Sequence, residues 1–228
     1  MAEAERIRSG VKMESIKIIY SDDTLIVCVK PAGVPCESAN ENVKSLSDLI
    51  SAQLGVQYVG MVHRLDQVTE GLMVYSLSQK YTGKLCELIA SGEAKKEYLA
   101  VVHGKPENDK GEMKDLLFRD PKKNKSFVVD RNRRGVKEAS LEYETLHSKD
   151  SLSLVKIKLH TGRTHQIRVQ FASRGMPLFG DGKYGAKDNA PVALLSYRLS
   201  FPHPKTKKPM EFSLDKPSTS PWDKLTFN

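Results

Sequence analysis

From Leu152 to His160 the chain alternates: Val155, Ile157 and Leu159 are apolar, and Lys156 and Lys158 between them are charged. A period of two puts one set of side chains on a packed face and the other in water, as on a half-buried strand. Other short apolar runs follow the same theme. They are Ile16 to Tyr20 and Leu25 to Lys30 around the turn Ser21-Asp22-Asp23, then Gly71 to Ser76, Glu97 to Val102, Ala139 to Leu146, Val192 to Phe201 and Met210 to Leu214. Helical spacing is found in three places. Leu46, Leu49, Ile50 and Leu54 precede Gly55, a C-cap residue; Tyr81, Leu85, Leu88 and Ile89 follow Ser78, which stands where an N-cap belongs. A short third segment carries Ile167 and Phe171, with Thr164 placed to cap it and Gly175 to end it. Strands outnumber helices and do not alternate with them regularly. The expected class is α+β, with a mixed, mostly antiparallel central sheet flanked by helices and loops.

At 228 residues the chain is long enough to bury a core without disulfide or metal staples. We expect one domain over residues 16–214, an N-terminal extension over 1–15, and a tail over 215–228 lying on the surface. No apolar run approaches the ~18 residues of a membrane span. The first residues lack the apolar stretch of a signal peptide and contain Glu3, Glu5 and Glu14, unlike a transit peptide. Cys28, Cys36 and Cys86 have no C-x-x-C spacing, so reduced thiols in the cytoplasm are expected, with no membrane association and a monomer favoured.

The net charge is +8, which suits a polyanionic partner. Arg119 to Lys137 holds eight basic residues against Asp120 and Asp130, and Arg198 to Lys208 has four and no carboxylate. These stretches are either solvated loops or phosphate contacts.

Several motifs fail on context. Gly180-Asp181-Gly182-Lys183-Tyr184-Gly185 fits G-x-G-x-x-G, but a loop follows it where a dinucleotide site needs an apolar helix. It reads as a tight turn in which backbone approaches something closely. His160 and His165 are not on one helical face, and no H-E-x-x-H, G-x-S-x-G or P-loop pattern occurs. Two polar clusters remain. His63-Arg64-Leu65-Asp66 lies between two expected strands, where loops carry function. Thr161-Gly162-Arg163-Thr164-His165-Gln166-Ile167-Arg168 stands at a helix start, either as capping and solvation or as a site in which Arg168 pairs a carboxylate.

Together these clusters resemble the pseudouridine synthases of the ribosomal large-subunit type. YSDDTLIVCVKPAG (20–33), HRLDQVTEGLMV (63–74), KEYLAVVHG (96–104), TGRTHQIRVQFASRGMPLFGDGKYG (161–185) and the segment Leu195 to Pro204 match that family's motifs in order and spacing. The chain departs from the family pattern in three places. Gln67-Val68-Thr69-Glu70-Gly71 replaces Arg-Asp-Thr-Ser-Gly, Gln170-Phe171 replaces His-Leu, and Ser196-Tyr197 replaces His-Ala. These changes leave the particular uridine open. The resemblance implies a single catalytic domain with an RNA cleft across a mixed sheet, and about 15 leading residues give no room for the family's small N-terminal RNA-binding domain.

The reaction breaks the C1′–N1 bond of uridine, turns the base and rejoins it through C5. It has no redox step and needs one carboxylate rather than the two of a glycoside hydrolase; no cofactor, nucleotide or metal is expected. By the resemblance Asp66 either attacks C1′ or assists elimination to a glycal. Arg168 is its ion-pair partner. Tyr98 stacks on the target base, with removal of the C5 proton as a second candidate task. Arg64 fills the space left by a flipped nucleotide. Lys30 and Arg163 are expected to meet phosphate or position loops, and His63, His165 and Gln166 complete the substrate-binding set. The expected partner is ribosomal or transfer RNA at an unpaired uridine. The competing readings are a non-catalytic RNA-binding or ribosome-assembly protein on a degenerate synthase fold, and a nuclease or glycosylase, for which a second catalytic carboxylate near Asp66 is missing.

Overall fold

A strand covered on both faces reads as an unbroken apolar run, and Leu25-Ile26-Val27-Cys28-Val29 is one. In the computed structural model, which describes residues 15–38 and 43–226, it lies in β2 (Leu25–Lys30). Ile26 and Cys28 join one core cluster, and Leu25 and Val27 join another. β4 (Glu70–Ser76) divides in the same way, with Met73 and Tyr75 in the first cluster and Leu72 and Val74 in the second. The sheet therefore has a core on each side.

The remaining strands are β1 (Ile18–Ser21), β3 (Gly60–Met61), β5 (Lys95–His103), β6 (Lys110–Asp120), β7 (Lys125–Val129), β8 (Val136–Lys149), β9 (Leu152–Leu159), β10 (Leu194–Pro202) and β11 (Pro209–Ser213). They form one sheet in the order β1-β2-β4-β10-β5-β9-β8-β6-β7, with β3 on β4 and β11 on β10. Among the described residues β4–β10 is the parallel pair, and the other pairs are antiparallel. Helices α1 (Leu46–Leu54) and α3 (Gln166–Ala172) pack on the first core through Leu46, Ile50, Ile167 and Phe171. Helix α2 (Gln79–Ala90) packs on the second through Leu85 and Leu88. No described helix is long and apolar enough to cross a membrane.

The parallel pair is tight. Gly71 has φ +120°, and a Cβ there would collide with the backbone of Ser196. Ser196 is in register with Gly71 on one side and Tyr98 on the other, and its hydroxyl donates to the Leu72 carbonyl at 3.1 Å. Only glycine permits so close a backbone approach in that conformation.

Several expectations are corrected. Thr164 does not cap α3: His165 precedes the helix in a left-handed conformation (φ 55°), and the Thr164 carbonyl accepts instead from the Ser126 hydroxyl at 2.7 Å. Ser78 precedes α2 but makes no side-chain cap bond. The basic stretch 119–137 is only partly loop: Arg119, Lys125 and Lys137 lie on β6, β7 and β8, and Lys122, Lys123, Arg131, Arg133 and Arg134 lie on the connections between them. The segment after residue 214 is not a surface tail. Trp222 and Leu225 are buried, at 7% and 1% exposure, in a cluster with Leu99, Val101, Leu154 and Leu195. The expected N-terminal extension lies outside the described residues except for Ser15. Removing the indole should leave a cavity under β5. Trp222→Ala is expected to cost about 3 kcal/mol in urea unfolding; an unchanged midpoint would mean the segment is not part of the core.

Candidate active site

Asp66 lies in the turn that leads into β4, and the Thr69 N–H donates to its carbonyl at 3.0 Å. Both of its neighbours are tied down. Leu65 exchanges hydrogen bonds with the Cys36 thiol, its N–H donating at 3.4 Å and its carbonyl accepting at 3.2 Å. The Gln67 carbonyl accepts from Gly33 N–H at 2.8 Å and from Lys30 Nζ at 2.9 Å. Lys30 also donates to the carbonyls of Pro31 at 2.9 Å and Val34 at 2.7 Å. Its three protons thus meet three carbonyls, and the residue is fully buried. Burial pulls its pKa down to about 8, with Cys36, Asp66 and Glu70 pulling the other way. Of the two tasks expected of Lys30, phosphate contact or loop positioning, this geometry fits the second: it staples the Pro31 turn to the loop carrying Asp66, and has no donor left for RNA.

Arg168 enters from α3. Its Nε and Nη2 form a fork with Asp181, at 2.6 Å to Oδ2 and 2.7 Å to Oδ1, and Nη1 reaches Asp66 Oδ2 at 3.4 Å. The guanidinium lies 5.1 Å from the centre of the Tyr184 ring. Burial opposes its charge, but the hydrogen bonds and charge of Asp181 outweigh this and hold it firmly ionised. Asp181 is itself buried and is presented by the glycine turn. At Gly180 (φ +79°) a Cβ would strike the Pro191 carbonyl. The glycine pattern is thus a close backbone approach that aims a carboxylate, not a nucleotide cradle.

His165 completes this wall. The Tyr184 hydroxyl accepts from Ser126 N–H at 2.9 Å and lies 2.9 Å from His165 Nδ1. If its proton goes to Nδ1, the ring proton sits on Nε2, which faces Asp66 Oδ2 at 4.0 Å. Burial pulls this imidazole below its ordinary pKa, against the attraction of Asp66.

Across from these groups stands Tyr98 on β5, 5% exposed. Burial, and then the charge of Asp66, pushes its phenol well above the ordinary tyrosine range. Asp66, Tyr98, His165 and Arg168 line a cleft of about 620 Å³, within the usual range for small-molecule sites. Arg64 and Arg163 are exposed at its rim, and Arg163 Nε donates to the Glu138 carbonyl at 2.8 Å. Among the described residues no three His, Cys, Asp or Glu side chains are grouped as metal ligands.

Two other expected site residues are held by internal bonds. Gln166 is anchored internally: its Oε1 accepts from the Thr161 hydroxyl and Arg163 N–H, and its Nε2 donates to the Ser140 carbonyl. His63 lines the cleft, but its Nε2 accepts the Val74 N–H at 3.2 Å and its Nδ1 is buried without a partner among the described residues. Both residues line the cleft, and these bonds fix how each side chain is oriented there. Asp181, Tyr184 and Lys96 belong to the site and were not expected there. The first two sit inside the glycine pattern that was read only as a turn.

A family model described as RNA pseudouridylate synthase matches residues 24–173. An uncharacterized RNA pseudouridine synthase of Aquifex aeolicus is 36% identical over 233 residues, covering 92% of this chain and 72% of the relative. Ribosomal large subunit pseudouridine synthase D of Zymomonas mobilis is 30% identical, covering 89% of this chain and 69% of its own. Among solved structures, human RNA pseudouridylate synthase domain containing 1 superposes with a TM-score of 0.77 at 21% identity, covering 94% of this chain and 89% of that one. At that identity the likeness is one of fold.

Two measurements test the site's internal supports. Asp181→Asn leaves a buried guanidinium short of its counter-charge and is expected to destabilise the protein by about 3 kcal/mol in urea; a loss under ~1 kcal/mol would mean that Asp66 alone suffices. His63 gives a pH signature. Burial, then the charge of Lys96, holds its pKa at about 3 against an ordinary 6.5. Between those values the unfolded chain binds the extra proton, so stability falls as pH drops from 6.5, by up to ~1.4 kcal/mol per unit. His63→Gln is expected to flatten that slope between about pH 6.5 and 5, and an unaltered slope would assign the acid sensitivity elsewhere.

Proposed function

The chain belongs to the RNA pseudouridylate synthase family and is an isomerase converting uridine to pseudouridine in RNA; from that premise we propose that Asp66 is the carboxylate acting at the ribose C1′ of a flipped uridine. The observation that carries this is its setting. It is 23% exposed, lies 3.4 Å from a buried guanidinium, and shares the cleft with a buried tyrosine. Positive charge develops at C1′ as the C1′–N1 bond breaks, and a carboxylate fixed beside it stabilises it by forming an ester or by assisting elimination. The uracil then turns and bonds through C5. The proton leaving C5 balances the one gained at N1, so the product is an isomer. Water must stay out, because hydrolysis at C1′ would leave an abasic site.

Tyr98 is proposed to stack on the uracil. Its raised pKa keeps the phenol protonated at neutral pH, which favours stacking over proton abstraction. Arg168 holds Asp66 in place. Arg64, exposed at the rim, is suited to the gap left by the extruded base. Four of the relatives are named as ribosomal large-subunit synthases, three D and one C, so we propose ribosomal RNA as substrate ahead of transfer RNA, with unpaired uridines favoured because they cost least to flip. The basic β6–β7 arm adjoins the cleft, with Lys125 4.9 Å from the centre of the Tyr184 ring, and supplies charge for the RNA backbone. The free cysteines suit the reducing cytoplasm as the site of reaction.

Asp66→Asn tests the reading. Product from large-subunit RNA carrying 5-tritiated uridine should fall by at least ~10⁴-fold, the scale of removing a covalent catalyst, while RNA affinity stays within about threefold. Tritium release at the normal rate would remove Asp66 from its role.

A further inference from the structure

Lys96 lines the cleft two residues before Tyr98 on β5. Residues two apart on a strand share a face, ~6.6 Å from one another. Glu97 between them turns to the opposite side, where it accepts the Tyr197 hydroxyl at 2.7 Å. Lys96 is half-buried, and burial pulls its amine below the ordinary lysine pKa. The other buried or strand-borne cations nearby are matched. Lys30 has three carbonyls, Arg168 has Asp181 and Asp66, and Lys156 and Lys158 have Glu144 and Glu142. Among the described residues Lys96 has no hydrogen bond and no carboxylate partner.

A desolvated cation without a counter-charge destabilises the protein that carries it. A neutral side chain of the same length would fill the space at lower cost, so this amine has a use only when something negative enters the cleft. RNA brings one phosphate per nucleotide. With a sugar against Asp66 and its base on Tyr98, the linkages on either side fall within reach of a side chain ~6.6 Å along the same strand face. The opposite wall leaves space: Gly162 faces the amine, a methyl group there would stand 3.8 Å from Nζ, and exposed Arg163 follows it.

We propose that Lys96 is a backbone-binding residue that grips one of the two phosphates flanking the target uridine and so sets which nucleotide of the strand reaches Asp66. This rests on the reading of Asp66 and Tyr98 given above. Lys96 positions the strand and takes no part in bond making.

The test uses a fluorescent single-stranded oligoribonucleotide with one central uridine, and versions with a charge-neutral methylphosphonate at either flanking linkage. Lys96→Met is expected to weaken binding roughly tenfold at about 0.1 M salt. The slope of log affinity against log salt should become shallower by about 0.7, the value for one phosphate on a single strand. Lys96→Arg should restore most of both, and Lys96→Met should melt no lower than wild type. One neutral linkage should cost the wild type the same tenfold and cost Lys96→Met nothing further. Equal costs in both proteins at both linkages, an unchanged salt slope, or a lowered melting temperature with unchanged binding would each overturn the proposal. Failure here is separable from failure of the Asp66 reading. Lys96→Met should still release tritium from large-subunit RNA at a near-normal maximal rate with a raised KM, whereas Asp66→Asn should bind with the wild-type linkage pattern and release none.

Discussion

The buried guanidinium of Arg168 organises the site. Moving such a charge out of water is costly unless every face finds a partner, and here the faces are shared out. Two nitrogens go to Asp181, the plane covers Tyr184, and one nitrogen is left for Asp66. The fork is the stronger contact, at 2.6 and 2.7 Å against 3.4 Å. Asp181 therefore fixes the cation, and the cation then presents a stationary charge to the more exposed carboxylate. A pair made of Arg168 and Asp66 alone would have let both swing. Pre-organisation of this kind matters where charge develops quickly and solvent cannot reorient to meet it.

The sheet brings the two halves of the cleft together. β10 lies between β4 and β5, parallel to one and antiparallel to the other. Ser196 touches both, opposite Gly71 just after the Asp66 turn and opposite Tyr98. Because Gly71 carries no side chain, the Asp66 turn can close against the strand that borders Tyr98. The Lys30 staple performs the matching task from the other side of the turn.

Much of this was legible. The run Leu25 to Lys30 is a strand with the expected bounds, and Gly55 ends α1 in a left-handed conformation, φ 65°; both follow from local pattern and turn chemistry. The mixed sheet followed from the number and irregular order of short apolar runs. What stayed hidden depended on pairing at a distance. Asp181 meets Arg168 across a helix and a turn, with no period to announce it, inside a pattern judged only as a failed nucleotide motif. Residue type alone leaves Lys30 open between phosphate contact and loop positioning. Its place at the end of a strand buried on both faces, next to a Pro-Ala-Gly turn rich in free carbonyls, was the signal for a buried ammonium. β6 and β7 escaped because charged residues stand among few core-facing ones: in β6 only Met113 and Leu117 are buried. The indole of Trp222 was misjudged because the prolines and serines around it read as solvated chain.

The central position of β10 has a consequence for how the molecule is made. The strand that joins the two sides of the cleft begins at Leu194 and follows every described strand but β11 in the chain, so β4 and β5 are synthesised before it exists. Until then β5 lacks its β10 neighbour, and β4, though paired with β3 at Tyr75 and Ser76, lacks its β10 contact at Glu70 and Gly71. A nascent or prematurely terminated chain thus has neither an assembled catalytic centre nor a finished sheet. Its open edges expose it to association with other chains until β10 is in place.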